Sequence, residues 1–136
     1  MTDNTPDTSV VVAGLSSWHP DHEAARSALA SRPRIIGQVL LESYSVLTRL
    51  PPGRRVEPAI VLAALSGTFP DSPIVLPARR MFPLLRRLEA VGISGGATYD
   101  AVIAESARSA GLRLTTLDSR ARPTYAAVGV EIEWLG

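Results

Sequence analysis

The chain contains no cysteine and no lysine. The first absence excludes disulfide scaffolds, thiol nucleophiles and cysteine-based zinc sites together. The second excludes the Walker-type phosphate loop, Schiff-base chemistry and catalytic lysine of any kind. All 14 basic residues are therefore Arg, against 13 acids, and the formal net charge of +1 sets up no global field for nucleic acid. A local cationic patch remains compatible with phosphate binding. No run of 18 apolar residues occurs, so no membrane-spanning helix is expected. The opening M-T-D-N-T-P-D carries no positive charge ahead of an apolar core and does not read as a secretion signal. A cytoplasmic protein is the default expectation.

What is present suits one α/β domain over residues 1–136. Apolar residues make up 46%, enough for a core and too many for a disordered chain. There is no repeat, long linker or low-complexity run. Strand-like and helix-like segments alternate, as in a sheet flanked by helices. Short apolar runs predict strands at Arg34–Gly37, Ser72–Leu76, Leu112–Leu117 and Gly129–Trp134. A first strand should lead into Asp7, although T-D-N-T-P is polar and Pro6 cannot donate a ladder bond. Either that strand is very short, or it starts further upstream. Helical spacing predicts Pro20–Ser31, Val39–Leu50 (Leu40, Tyr44 and Leu47 on one face), Glu57–Leu65, Ala78–Val91 with a kink at Pro83, and Thr98–Ala110. The last carries Ala101, Ala104 and Ala107, which permit a close neighbour, and ends at Gly111.

Four acids fall where a parallel α/β sheet builds its cleft, at the carboxyl ends of strands beside a topological switch. Asp7 and Asp118 follow strands, while Glu42 and Asp100 lie near the starts of helices. A site of four carboxylates without His or Cys is all oxygen, which suits Mg2+ or Mn2+ and not zinc or copper. Such a set repels itself without a cation. With one, it can activate a water and clamp a phosphodiester. Asp7 and Asp100 are expected to hold the main metal, with Glu42 assisting and Asp118 serving a second metal or the leaving oxygen. Each acid also has a structural reading: Asp7 as a cap on the turn that follows, Asp118 as a turn former, Asp100 as a complement to a helix dipole, Glu42 as a surface residue. Thr8, Ser9 and Thr116 offer hydroxyls that orient a metal-bound water or a ligand carboxylate, and Ser9 alternatively caps a helix.

Other signals are weaker. Arg79, Arg80, Arg86 and Arg87 recur at a spacing of seven on one helix, as an RNA-tracking stripe or a solvated face. His19 and His22 are three apart but lack a third soft ligand. Trp18 and Trp134 read as packing residues. G-I-S-G-G at Gly92–Gly96 is too irregular for a dinucleotide loop. No G-x-S-x-G elbow exists.

Four segments, in order, resemble the PIN-domain family over nearly the whole chain. D-T-S-V-V-V-A at Asp7–Ala13 resembles its opening motif. L-E-S-Y-S-V-L-T-R-L at Leu41–Leu50 resembles its second-helix motif, with Glu42. G-I-S-G-G-A-T-Y-D-A-V-I-A at Gly92–Ala104 is similar to the stretch holding its third acid, Asp100. L-T-T-L-D-S-R-A-R-P-T-Y-A-A-V-G-V at Leu114–Val130 is similar to its closing motif, with Asp118. W-H-P-D-H-E-A-A at Trp18–Ala25 is similar to the VapC-like toxins within the family. The resemblance implies a three-layer sandwich with a parallel sheet of about five strands and helices on both faces. It implies Mg2+- or Mn2+-dependent endoribonuclease action through Asp7, Glu42, Asp100 and Asp118, a cognate VapB-like antitoxin, and a homodimer. The departure is the polar stretch with Pro6 where the family is apolar. A degenerate PIN domain that binds RNA or a partner without cutting is the alternative. A haloacid-dehalogenase-like phosphatase is the other rival enzyme, but it needs a second Asp where this chain has Ser9, and a catalytic Lys.

Overall fold

Pro6 is the last residue of the first strand, at a place that asks nothing of its missing N–H. In the computed structural model, which describes residues 3–136, β1 (Asn4–Pro6) pairs in parallel with β2 (Arg113–Thr116). The Asp7 N–H donates to the Thr115 carbonyl at 2.9 Å. Strand alternation then turns the Pro6 nitrogen to the side away from β2, where proline is tolerated. β2 also pairs in parallel with β3 (Ile132–Trp134), so the order is β1-β2-β3.

About five strands are expected from the sequence, and three are found. Arg34–Gly37 and Ser72–Leu76 do approach each other, but only as one isolated parallel bridge between Ile36 and Ile74. Pro33, Pro73 and Pro77 lack N–H groups on both sides of that bridge, and α3 begins at Gly37, so no ladder extends from it. Thr5 Oγ1 donates to the Arg34 carbonyl at 2.8 Å, which ties the bridged segment to β1.

Helices supply the rest of the fold. They are α1 (Thr8–Gly14), α2 (His22–Ala30), α3 (Gly37–Thr48), α4 (Pro58–Thr68), α5 (Met81–Val91), α6 (Ala97–Ser109) and α7 (Arg122–Val128). The sequence patterning misses α1 and α7. In α1, Val10, Val11 and Val12 favour strands by propensity. Burial of Val10, Val11 and Ala13, and a cap from Asp7, override that preference. The Ala78–Val91 helix starts as a 3-10 turn at Ala78–Arg80, and Pro83 lies in the first turn of α5 instead of kinking a longer helix. On α3 the buried stripe is Val39, Ser43 and Leu47, four residues apart, while Tyr44 is exposed.

The core is aliphatic and sits around β2 and α6. Leu114, Thr115 and Thr116 are all buried although consecutive strand residues point to opposite faces, so both faces of the central strand are covered. Ala101, Ala104 and Ala107 on α6 are fully buried, as their small size suggested. Gly14 ends α1 where a Cβ would meet Leu29 Cδ1 at 2.5 Å, so a larger residue there would make the Leu29 side chain of α2 shift.

Candidate active site

The carboxyl ends of β1 and β2 open into a cleft of about 530 Å³ lined by Asp7, Glu42, Asp100 and Asp118. Each acid arrives by a different route. Asp7 follows β1 directly and caps α1, its carboxylate accepting the Val10 N–H at 3.3 Å. Asp118 follows β2 by two residues and accepts the Arg120 and Ala121 N–H groups, which turns the chain into α7. Glu42 projects from α3, and Asp100 lies in the first turn of α6. The capping and turn readings of Asp7 and Asp118 therefore coexist with their place in the cleft.

Asp7 is the most constrained of the four. It is 1% exposed, yet every oxygen is bonded. Oδ1 accepts the Ser9 hydroxyl at 2.5 Å; Oδ2 accepts those of Thr116 at 2.5 Å and Tyr125 at 2.8 Å. Burial pushes its carboxyl above the usual carboxylate range, and these donors pull against that rise. The same hydroxyls also knit the two strand ends together. Ser9 Oγ accepts the Leu117 N–H at 2.9 Å, and Thr116 Oγ1 accepts the Asp118 N–H at 3.0 Å.

The other acids are also engaged. Thr8 Oγ1 donates to Glu42 at 2.8 Å, and Gln38 Nε2 donates to it at 3.3 Å. Arg120 spans Asp100 at 3.3 Å and Asp118 at 3.0 Å, although its own side chain is 70% exposed. Burial raises the Asp100 carboxyl most. Arg120 opposes the rise, and the charges of Asp118 and Glu42 add to it. That mutual repulsion means the acids feel one another across the cleft. They are not drawn into a closed cage: among the described residues, no three His or acidic side chains gather as a metal-binding group. The donor chemistry nevertheless fits a hard divalent ion, because Asp7, Glu42, Asp100 and Asp118, with Asp21, line one space and the single charge of Arg120 offsets only part of their charge.

Tyr125 and Arg120 complete the site beyond the expected Thr8, Ser9 and Thr116. For Arg120 there was a signal, its place two residues after Asp118. For Tyr125 there was none, since it reaches Asp7 across 118 residues of sequence.

The expected arginine stripe splits in two, and none of its members lines the acid cleft. Arg80 and Arg87 turn to the buried Glu105 of α6, at 3.9 and 3.5 Å, where Arg108 also binds it at 2.7 Å. Arg87 further donates to the Val128 carbonyl at 2.7 Å. Arg79 and Arg86 stay exposed, Arg86 lying over the Phe82 ring at 5.9 Å. The two histidines bind different partners: His22 Nδ1 lies 2.9 Å from the Ala13 carbonyl, and His19 Nδ1 accepts the Asp21 N–H at 3.0 Å. Trp18 and Trp134 are not core residues; each is over a third exposed, with an Arg over its ring.

A parallel sheet with four carboxylates at one cleft, two of them at strand ends, defines the class of PIN-like α/β proteins. The chain belongs to the PIN domain family, which it matches over residues 5–126. It is VapC-like: it is 44% identical to Ribonuclease VapC40 of Mycobacterium tuberculosis over 128 residues, 94% of this chain and 96% of that protein. The fold is similar to FitAcB from Neisseria gonorrhoeae, with TM-score 0.67 and 17% identity over 95% of each chain. It is also similar to VapBC2 from Rickettsia felis, solved with a DNA fragment from their promoter. There the TM-score is 0.65 and the identity 18%, covering 96% of this chain and 97% of that one. No helix among the described residues is long and apolar enough to cross a membrane.

Proposed function

We infer that this protein is an endoribonuclease, the toxin of a VapBC-like toxin–antitoxin pair, and that it hydrolyses RNA phosphodiester bonds with Mg2+ or Mn2+. The observation that carries this reading is the convergence of Asp7, Glu42, Asp100 and Asp118 on one cleft. The 44% identity to a named ribonuclease over most of both chains supports RNA as the substrate.

Asp7 and Asp100 would hold the ion, with Glu42 and Asp118 completing its surroundings. When bound, it supplies a Lewis acid and a more acidic water. The chain's own residues do the positioning. Ser9, Thr116 and Tyr125 fix both oxygens of Asp7, so its carboxylate faces the cleft in one orientation. Thr8 and Gln38 hold Glu42 in the same way. Arg120 bridges Asp100 and Asp118 and offsets part of their charge, and as they take up other charge its guanidinium becomes available to a phosphate. Arg79 and Arg86 can meet an RNA strand that runs beyond the cleft.

A cognate VapB-like antitoxin is the expected partner, and a basic side chain entering the acid cleft is the chemistry by which it would inhibit. A homodimer is supported by an apolar groove lined by Leu41, Val75, Met81, Leu85 and Tyr99, all of them exposed. The experiment is cleavage of a structured RNA by the purified protein in Mg2+ or Mn2+, beside the Asp100→Asn variant and a chelator control. Cleavage that stops in chelator and in the variant is the expected result. Cleavage undiminished by either would refute the metal-carboxylate reading, and binding without cleavage would favour the non-cleaving alternative.

A further inference from the structure

The acid cleft has a lip of arginine and aromatic side chains, with Asp21 beside them in the wall. Glu42 and Arg49 are seven residues apart on and just after α3, so they share a helix face about 10 Å apart along its axis. Between them Ser45 and Val46 line the same cleft. The turn between α1 and α2 brings His19 into the same wall and Trp18 beside it, their ring centroids 5.6 Å apart and tilted by 41°. Arg54, from the loop after α3, lies over the Trp18 ring at 4.2 Å.

We propose that Trp18, His19, Arg49 and Arg54 form a subsite that grips an unpaired nucleotide of single-stranded RNA next to the acid cleft. The inference rests on the ribonuclease reading and adds to it where the strand is held. Trp18 is 40% exposed, so its large ring is only partly used in packing. Arg49 and Arg54 have no carboxylate within ion-pair distance among the described residues, as holds for every arginine but Arg80, Arg87, Arg108, Arg113 and Arg120; what sets Arg49 and Arg54 apart is their place at the cleft wall and over Trp18. Arg49 and Arg54 offer charge for phosphate; Arg54 already lies over one face of the indole, so a base would stack on the exposed remainder of the ring or take the place of Arg54. His19 adds a donor: its Nδ1 accepts the Asp21 N–H, so in the neutral ring Nε2 carries the proton. A duplex keeps its base faces stacked inside, so this lip selects unpaired RNA. An acidic peptide would use the charge but not the stacking face.

The test uses the two tryptophans of the chain. Trp134→Phe leaves Trp18 as the sole tryptophan, excited selectively at the red edge where tyrosine does not absorb, and chelator prevents hydrolysis. A mixed-sequence ten-nucleotide single-stranded RNA should quench Trp18 saturably, with the Kd given by anisotropy of the same labelled RNA. The matching duplex and polyglutamate of equal charge should quench far less. In the otherwise native chain, Trp18→Ala and Arg54→Ala should each raise that Kd about tenfold. A thermal midpoint separates loss of the subsite from loss of fold, and the quenching arm leaves the four residues untouched. RNA binding without Trp18 quenching, or equal quenching by duplex or polyglutamate, would overturn the subsite while the ribonuclease reading stands. Neither binding nor metal-dependent cleavage by the native protein would overturn both.

Discussion

The hydroxyl of Tyr125 donates to Oδ2 of Asp7 at 2.8 Å, joining the last helix to the end of the first strand. Both residues are 1% exposed, so this bond is made away from competing water. Tyr125→Phe removes the donor and keeps the ring. It should cost about 1 to 2 kcal/mol of stability and about tenfold in cleavage rate, because Asp7 loses one of three side-chain donors. Those donors hold the Asp7 carboxyl down against burial. Losing one lets it rise further, so the acid limb of the pH–rate profile should move to higher pH. A limb that stays in place, with the rate unchanged, would mean that Tyr125 only packs.

Asp7→Asn and Asp100→Asn keep size and remove charge. Each should lower single-turnover RNA cleavage at least about 100-fold, the scale of losing one preorganised catalytic group. Asp118→Asn should be milder. Stability should not follow activity. A carboxyl whose folded value is raised, as for Asp7 and Asp100, makes the fold less stable as pH climbs from the ordinary value through the folded one. At neutral pH the native chain bears that cost and the Asn variants do not. Asn also caps a helix well, so the metal-free thermal midpoint of Asp7→Asn should hold or rise. Wild-type cleavage by Asp7→Asn would remove that residue from the site.

Arg120→Ala takes away the cation shared by Asp100 and Asp118. The exposed guanidinium contributes about 1 kcal/mol or less, so the metal-free midpoint should fall only slightly. The rise in midpoint on adding Mg2+ should grow, because the ion no longer competes with an internal charge. An identical Mg2+ response in the variant and the native chain would show that Arg120 does not occupy the same electrostatic position.

Glu105 tests the structural half of the arginine set. A bidentate bond from Arg108, helped by Arg87 and Arg80, holds its carboxyl below the ordinary value of 4.5. Its folded value is depressed, so the stabilisation is complete above 4.5 and is lost as pH falls through the folded value. Glu105→Gln should cost about 2 kcal/mol at neutral pH, a figure reduced for the exposure of its arginine partners. It should also flatten the acid arm of the stability curve while leaving RNA cleavage largely intact. An acid arm of unchanged slope would count against the cluster.

The sequence by itself determined the order and the local placement of the acids. A residue just after a short β run lies at a strand end, and one in the first turn after a glycine-rich stretch lies at a helix start, whatever else the chain does. Helical spacing likewise revealed α6 with its buried alanines, because a period of 3.6 is a local property. Local pattern also erred where packing overrode it: three valines formed a helix, and three prolines reduced two expected strands to one bridge. Only the tertiary structure decided which neighbours the acids have. Ser9, Thr116 and Tyr125 meet at Asp7, two of them from more than 100 residues away. It likewise turned Arg80 and Arg87 to Glu105, left Arg79 and Arg86 outside, and set Arg54 over Trp18. The physical reason is range: spacing encodes which residues share a face, but a hydrogen bond or ion pair needs two faces to meet, and the packing of the whole core sets that meeting.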